Sequence, residues 1–142
     1  MIGVLIVTHG RLAEELLAAA GKISGPLPHF HALALDWGED LDAARERIRA
    51  EVAALDTGDG VLVLSDMFGD TPTNAALACS EEGRCELVSG VNLPMVVRLA
   101  CTKQAGMPLA EVARWLEIKG RRSIRRASRV SRGPLPGGEE PT

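Results

Sequence analysis

The sequence predicts an α/β protein with a doubly wound, mainly parallel sheet of four strands in the order 2-1-3-4 and helices on both faces. Short apolar runs alternate along the chain with segments of helical periodicity. Two of these runs, residues 4–7 and 61–64, are uninterrupted Val, Leu and Ile, as is typical of parallel strands buried on both faces. A length of 142 residues with 46% hydrophobic residues suits one globular domain.

The first half of the chain supplies two strands and two helices. Residues 4–7 form the first strand, and apolar residues at helical spacing over 12–23 predict the first helix, which Gly25-Pro26 ends. Residues 30–35 form the second strand, whose partial alternation indicates a position nearer an edge. An apolar stripe over 41–55 predicts the second helix.

The second half continues the alternation. The third strand covers residues 61–64, and Thr71-Pro72 opens the third helix, since proline suits the first helical turn. The fourth strand covers residues 85–88. Asn92-Leu93-Pro94 opens a fourth helix, and residues 109–116 carry the apolar stripe of a fifth. We therefore assign residues 1–132 to one domain, and 133–142, rich in Gly, Pro and Glu, to a disordered tail.

Composition excludes several classes of protein. No apolar run approaches the ~20 residues that span a bilayer, and no basic segment precedes the first strand, so we expect a cytoplasmic protein without membrane insertion or a signal peptide. Three cysteines without CxxC spacing argue against a zinc site or a disulfide framework, and we expect no metal. Residues 119–132 carry seven basic residues and no acidic or aromatic one, which does not favour nucleic-acid binding.

Three polar features are predicted to meet at one edge of the sheet. His9 ends the first strand and Asp66 follows the third, and these strands are neighbours in the predicted order. A carboxylate that accepts the Nδ1 hydrogen of an imidazole leaves the lone pair on Nε2. The helix that begins at Thr71 offers unpaired N–H groups to an anion. Together these features suggest phosphohistidine chemistry.

Three separate motifs carry a resemblance to a known family. They are Thr8-His9-Gly10, the segment 66–76 and the segment 89–95. Over about residues 1–130 the chain resembles the IIA domain of the mannose family of the bacterial phosphoenolpyruvate-dependent sugar phosphotransferase system. The resemblance implies that an HPr-type phosphocarrier phosphorylates His9 on Nε2, and that Asp66 orients His9.

The resemblance also extends to the surroundings of the phosphate. It places Thr71 beside the phosphate, and we assign Gly10 and Gly69 of the same motifs to the phosphate-binding set. Asn92 falls in the family's loop near the site. Family members are homodimers that exchange a late antiparallel strand, which here would fall around residues 122–129 and add a fifth strand.

Asp70 is a departure from the family pattern, which usually has a second glycine at this position. A carboxylate next to Thr71 would repel a phosphoryl group if it pointed inward, where charges are weakly screened. Alternatively, it points outward or caps the helix. The residue therefore bears on the rate of phosphorylation and on the stability of the phospho-form.

Several interpretations remain open from the sequence. The phosphate passes to a separate IIB component for sugar uptake, or the phosphorylation state is a signal that a regulatory partner reads. The phosphotransferase subunit of dihydroxyacetone kinase and a flavodoxin-like binding module are alternatives, although no GxGxxG or Walker A motif indicates a nucleotide cofactor. Met67 and Phe68 form a docking spot or pack inward. Trp37 and Trp115 are predicted core or interface residues.

Overall fold

The sheet has four parallel strands in the order β2-β1-β3-β4, as predicted. The computed structural model describes residues 1–67, 69, 71–81 and 83–129. The strands are β1 (Gly3–His9), β2 (Phe30–Leu35), β3 (Val61–Ser65) and β4 (Cys85–Ser89). The helices are α1 (Leu12–Ser24), α2 (Leu41–Leu55), α3 (Thr71–Glu81), α4 (Leu93–Cys101) and α5 (Leu109–Arg122).

Alternate residues of each central strand enter two separate cores, because successive side chains of a strand point to opposite faces. Val4 and Ile6 pack in the core that α1, α4 and α5 cover. Leu5 and Val7 pack in the core under α2 and α3. The two-sided burial explains why the first strand reads as an unbroken apolar run rather than as an alternating one.

The turn from β1 into α1 is held by the buried side chain of Thr8. Arg11 precedes the helix and makes no side-chain capping bond. Instead, the Oγ1 atom of Thr8 accepts the N–H of Ala13 at 2.7 Å. Between them Gly10 adopts φ +53°, a left-handed conformation that favours glycine. These contacts fix the backbone on both sides of His9.

The predicted exchanged strand is not formed within this single chain. Residues 122–129 contain the end of α5, a short irregular segment and a 3-10 helix over Ala127–Arg129. Since an exchanged strand would pair with a second subunit, the fifth strand stays a prediction. The predicted tail, 133–142, lies outside the described residues. Within the part of the chain that is described, no helix combines the length and apolarity needed to cross a membrane.

Candidate functional site

His9 and Asp66 are in direct contact at the carboxyl edge of the sheet. The Nδ1 atom of His9 lies 2.9 Å from Oδ2 of Asp66, and the backbone N–H of His9 donates to the same oxygen at 3.1 Å. The other carboxylate oxygen accepts the N–H of Met67 at 3.0 Å. The contact joins the ends of β1 and β3, where the crossovers diverge to the two faces of the sheet, which is the place where α/β folds bind ligands.

This hydrogen-bond pattern assigns the tautomer of His9. Burial alone would raise the pKa of Asp66, but the hydrogen bonds from the imidazole and the backbone N–H of His9 outweigh it, so the pKa lies below the ordinary value. Asp66 is therefore ionised near neutral pH and only accepts hydrogen bonds. Its Oδ2 atom must receive a hydrogen from Nδ1, which leaves the lone pair of the neutral imidazole on Nε2.

The lowered pKa of Asp66 predicts a pH-dependent stabilisation of the fold. A carboxyl whose pKa is lower in the folded state stabilises that state above its unfolded-state pKa of about 3.9, and this stabilisation is lost as the pH falls through the folded-state pKa. We expect the gap in free energy of unfolding between wild type and Asp66→Asn to persist down to about pH 4 and to shrink below it. Urea unfolding followed by circular dichroism at several pH values measures the gap.

The control for this measurement is Asp42→Asn. Asp42 is exposed and pairs with Arg45 at 3.5 Å on the surface of α2. Because exposed ion pairs stabilise proteins little, we expect this variant to differ from wild type by less than about 0.5 kcal/mol at each pH. A gap for Asp66→Asn that widened from pH 4 to pH 3 would contradict the predicted direction.

A cavity of about 320 Å³ opens beside the imidazole. Its wall combines the β2–α2 loop with the start of α3; the lining residues are His9, Leu35, Asp36, Trp37, Gly38, Glu39, Thr71 and Pro72. Thr71 is the first residue of α3, an eleven-residue helix whose N-terminal dipole end favours anions. Thr71 and His9 thus line the same cavity, and the contact of Thr71 with a phosphate stays a prediction.

Two buried hydroxyl groups anchor the β3–α3 loop. The Oγ atoms of Ser65 and Thr73 lie 2.7 Å apart, and Thr73 also donates to the carbonyl of Met67 at 2.6 Å. The sequence reasoning missed both residues, although a serine and a threonine flanking the loop at i and i+8 were visible in the sequence. Their contacts anchor the backbone directly on either side of Asp66.

Three residues predicted for the site, Gly10, Gly69 and Asn92, do not line the cavity beside His9. Gly69 has φ +82° in the β3–α3 loop, and neither it nor Gly10 is among the described residues that line the cavity beside His9. Asn92 caps α4 by accepting the N–H of Met95 at 3.0 Å, and it donates to Oγ of Ser123 at 3.1 Å. Its side chain lines another cleft, against α5.

The backbone still connects the loop of Asn92 to the site. The N–H groups of Gly90 and Val91 both donate to the carbonyl of Ser65 at 2.9 Å, directly before Asp66. The backbone of the Asn92 loop therefore supports the end of β3 before Asp66, whereas the side chain of Asn92 caps α4. The predictions for Asp70 and Phe68 fall outside the described residues.

The structure rules out a core position for Trp37, whereas an interface position stays a prediction. Trp37 is 79% exposed, and its indole stacks on the imidazole of His9 with ring centroids 5.3 Å apart and planes 25° from parallel. Trp115, in contrast, packs against the core under α5. Met67 is 58% exposed, which favours the docking interpretation for its side chain. The signal for Trp37 was its place in Asp36-Trp37-Gly38-Glu39, a turn-like segment directly after a strand.

These features define a class of protein: a doubly wound α/β domain with a carboxylate-oriented histidine at its switch point, beside a helix N-terminus. A family model described as "PTS system fructose IIA component" matches residues 3–115. The chain belongs to this family, the mannose-type IIA components of the sugar phosphotransferase system. The match favours this reading over the dihydroxyacetone kinase subunit and the flavodoxin-like binding module.

Individual relatives agree with the family match. The chain is 31% identical over 125 residues to the mannose-specific EIIAB component of Escherichia coli (strain K12), covering 87% of this chain and 39% of that protein. It is 30% identical over 105 residues to the fructose-specific EIIA component of Bacillus subtilis (strain 168), covering 73% and 72%. The chain therefore spans well under half of the EIIAB relative.

The fold agrees with solved structures of IIA proteins. The mannose/sorbose specific IIA subunit from Enterococcus faecalis superimposes with a TM-score of 0.79 at 25% identity, covering 88% of this chain and 93% of that one. A phosphotransferase system component EIIA from Streptococcus agalactiae gives a TM-score of 0.81 at 24% identity, covering 90% and 98%. At this identity the second comparison supports the fold alone.

Proposed function

We propose that the protein is a phosphoryl carrier that accepts phosphate on Nε2 of His9 from an HPr-type phosphocarrier. The observation that carries the proposal is the contact between Nδ1 of His9 and Asp66. The Nε2 lone pair attacks the phosphorus of a phosphohistidine on the donor. One P–N bond forms on His9 as the donor's P–N bond breaks, and the donor imidazole leaves with its electron pair.

The roles of the surrounding residues follow from this transfer. Asp66 keeps the hydrogen on Nδ1 and stabilises the cationic imidazole that forms when Nε2 takes up the phosphoryl group. Thr71 and the N-terminus of α3 receive the phosphoryl oxygens. We retain Gly69 in the phosphate-binding set, because a residue without a side chain permits close approach of the backbone to a ligand. The N–H of Gly10 already donates to the carbonyl of Leu35, so we assign Gly10 to the turn that follows His9 and not to phosphate contact. The described residues contain no group of His, Cys, Asp and Glu suited to a metal ion, and the proposed transfer requires none.

Incubation with phosphoenolpyruvate, enzyme I and an HPr-type carrier tests the proposal. We expect an acid-labile, base-stable phosphate on the protein, as a phosphoramidate requires. The absence of this phosphate on wild type at every carrier concentration would overturn the proposal. The fate of the phosphate then separates transport from signalling. Rapid loss to a purified IIB component supports a role in sugar uptake, whereas a phospho-form stable to IIB supports a regulatory signal.

We further propose a cytoplasmic homodimer built from residues 1–132, with 133–142 as a tail. β4 is an edge strand of the sheet, and a cleft of about 320 Å³ lies beside it, lined in part by Arg121 and Ile124. Ile124 is 81% exposed in the single chain. An antiparallel strand from a second subunit would pair with the open edge of β4, and Ile124, which lies in the segment 122–129 that would be exchanged, would pack against the partner subunit.

Asp70 provides a further test of the site. We expect Asp70→Gly to accept phosphate as fast as wild type or faster, because the substitution removes a negative charge next to Thr71. The initial rate of phosphate incorporation measures this effect. Asp59→Gly is the matched control, because this substitution removes the same charge at a position that precedes β3, at the opposite end of the sheet. A large loss of rate in Asp70→Gly alone would show that Asp70 has a positive role.

A further inference from the structure

Trp37 is a large apolar side chain that stays exposed beside the candidate nucleophile. The residue is 79% exposed, yet one face of its indole lies on the imidazole of His9 with ring centroids 5.3 Å apart. An interplanar angle of 25° makes this a stacked arrangement rather than an edge contact. The indole also extends over Gly10, where a Cβ atom would lie 3.5 Å from Nε1 of Trp37.

The backbone holds Trp37 in this place through a tight turn. The N–H of Glu39 donates to the carbonyl of Asp36 at 3.0 Å, and Gly38 has φ +79°. This is the pattern of a type II turn, with Trp37 and Gly38 as its central residues. The turn follows β2 directly, whose last residue, Leu35, pairs with His9 in the register of the sheet and accepts the N–H of Gly10 at 3.1 Å.

An ion pair fastens the far side of the turn. The carboxylate of Glu39 pairs with Arg47 of α2, and Arg47 also donates to the carbonyl of Ala34 at 3.1 Å. The end of β2, from which the turn starts, is thus bonded to Gly10 and to Arg47, and the turn itself is joined to α2 through the side chain of Glu39. These contacts locate the backbone of Trp37 beside His9.

Asp66 and Trp37 restrict the imidazole in complementary ways. The hydrogen bond to Asp66 fixes the position of Nδ1 but allows the ring to pivot about that bond. The stacked indole lies against the face of the ring and opposes that pivot.

We propose that Trp37 is a positioning residue for His9, which fixes the plane of the imidazole and stabilises its cationic phosphorylated form. Once Nε2 carries a phosphoryl group and Nδ1 keeps its hydrogen, the ring is positively charged. A cation over the face of an indole is attracted by the ring's quadrupole, more strongly than a neutral imidazole is. The second half of the inference rests on the proposed function, whereas the stacking itself does not.

The test compares Trp37→Ala with Trp37→Phe. We expect Trp37→Ala to lower the rate constant of phosphorylation at saturating donor, and the fraction phosphorylated at equilibrium, by about three- to tenfold. We expect Trp37→Phe to keep most of both, because a phenyl ring can also stack. An effect of Trp37→Ala confined to the donor concentration at half-maximal rate would overturn the proposal, since it would make Trp37 a docking contact.

The first of two spectroscopic readouts separates this inference from the proposed function. In the unphosphorylated protein, the ring-proton resonances of His9 should lie upfield in wild type and move downfield in Trp37→Ala, since the ring current of the indole is lost. Unchanged resonances would overturn the stacking, even if phosphorylation proceeds normally. This readout decides the stacking even if wild type accepts no phosphate, in which case only the proposed function fails.

The second readout is tryptophan emission. Phosphorylation of His9 should change the emission of wild type but not that of Trp37→Phe, in which Trp115 is the remaining tryptophan. An equal change in both proteins would place the signal at Trp115 and contradict the proposal.

Discussion

His9→Ala is expected to abolish phosphorylation. With phosphoenolpyruvate, enzyme I and an HPr-type carrier, wild type should acquire close to one acid-labile phosphate per chain, and His9→Ala should acquire none. In the proposed transfer, Nε2 of His9 supplies the lone pair that forms the P–N bond, and none of the other described residues that line the cavity provides an equivalent nitrogen. Incorporation of labelled phosphate, followed by lability at acid and alkaline pH, measures this result.

His31→Ala is the matched control. His31 lies on β2, its side chain is more exposed than that of His9, and it pairs with Glu51 at 2.8 Å. We expect it to accept phosphate at the wild-type rate, because its removal leaves the carboxyl edge of β1 and β3 intact. Full incorporation in His9→Ala would refute the site. A loss in His31→Ala as large as that in His9→Ala would show that the loss is not specific to His9 and would remove the support for the site.

Asp66→Asn is expected to slow phosphorylation by about 10²- to 10⁴-fold while the protein remains folded. In wild type, Oδ2 of Asp66 accepts two N–H groups of His9, and Oδ1 accepts the N–H of Met67. Asparagine has one oxygen and one NH₂ group, so in either orientation a donor faces a donor. If the NH₂ group faces Nδ1, the imidazole must accept there, and its hydrogen moves to Nε2, where it blocks attack on phosphorus.

Stopped-flow or quench measurements of phosphate transfer, alongside thermal unfolding, separate the chemistry from the fold. We expect a loss of about 1–3 kcal/mol in stability from the mismatched donor, which is smaller than the total stability of most domains. Asp66→Ala should also be phosphorylated more slowly than wild type. Because alanine does not enforce the wrong tautomer of His9, this variant should be phosphorylated faster than Asp66→Asn. Wild-type rates in Asp66→Asn would mean that Asp66 does not control the tautomer of His9.

The predictions for His9 and Asp66 also depend on how freely the imidazole of His9 can rotate, which the contact with Trp37 affects. In the proposed mechanism, Asp66 selects the nitrogen that attacks through its contact with Nδ1, and the stacked indole limits the plane of the ring. If both act, the double variant Asp66→Asn with Trp37→Ala should show a rate loss that differs from the product of the single losses, since residues in contact with a shared partner couple.

Much of the fold could be predicted because its signals are local. The unbroken apolar run in β1 reflects burial on both faces, with Val4 and Ile6 in one core and Leu5 and Val7 in the other. Helix starts such as Thr71-Pro72 and Asn92-Leu93-Pro94 were readable because proline and capping side chains have defined places in the first turn. The contact of His9 with Asp66 followed from one topological assumption, the strand order, which the structure confirms.

The contacts of the Asn92 side chain could not be predicted from the sequence. The family loop placed it near the site, but its side-chain atoms bond to Met95 and Ser123. An asparagine before a proline-containing helix start is equally suited to a cap and to a ligand contact. The choice depends on the direction of the side chain, which the distant residue Ser123 helps to set.

The sequence by itself determined the alternation of strands and helices, the two buried central strands and the presence of a histidine and a carboxylate at neighbouring strand ends. These follow from periodicity and from turn chemistry, which act over a few residues. Only the tertiary structure decided that Trp37 lies on the imidazole of His9. That contact requires the parallel register that sets Leu35 opposite His9 and the turn that carries the chain back over Gly10, and both arise when β2 pairs with β1.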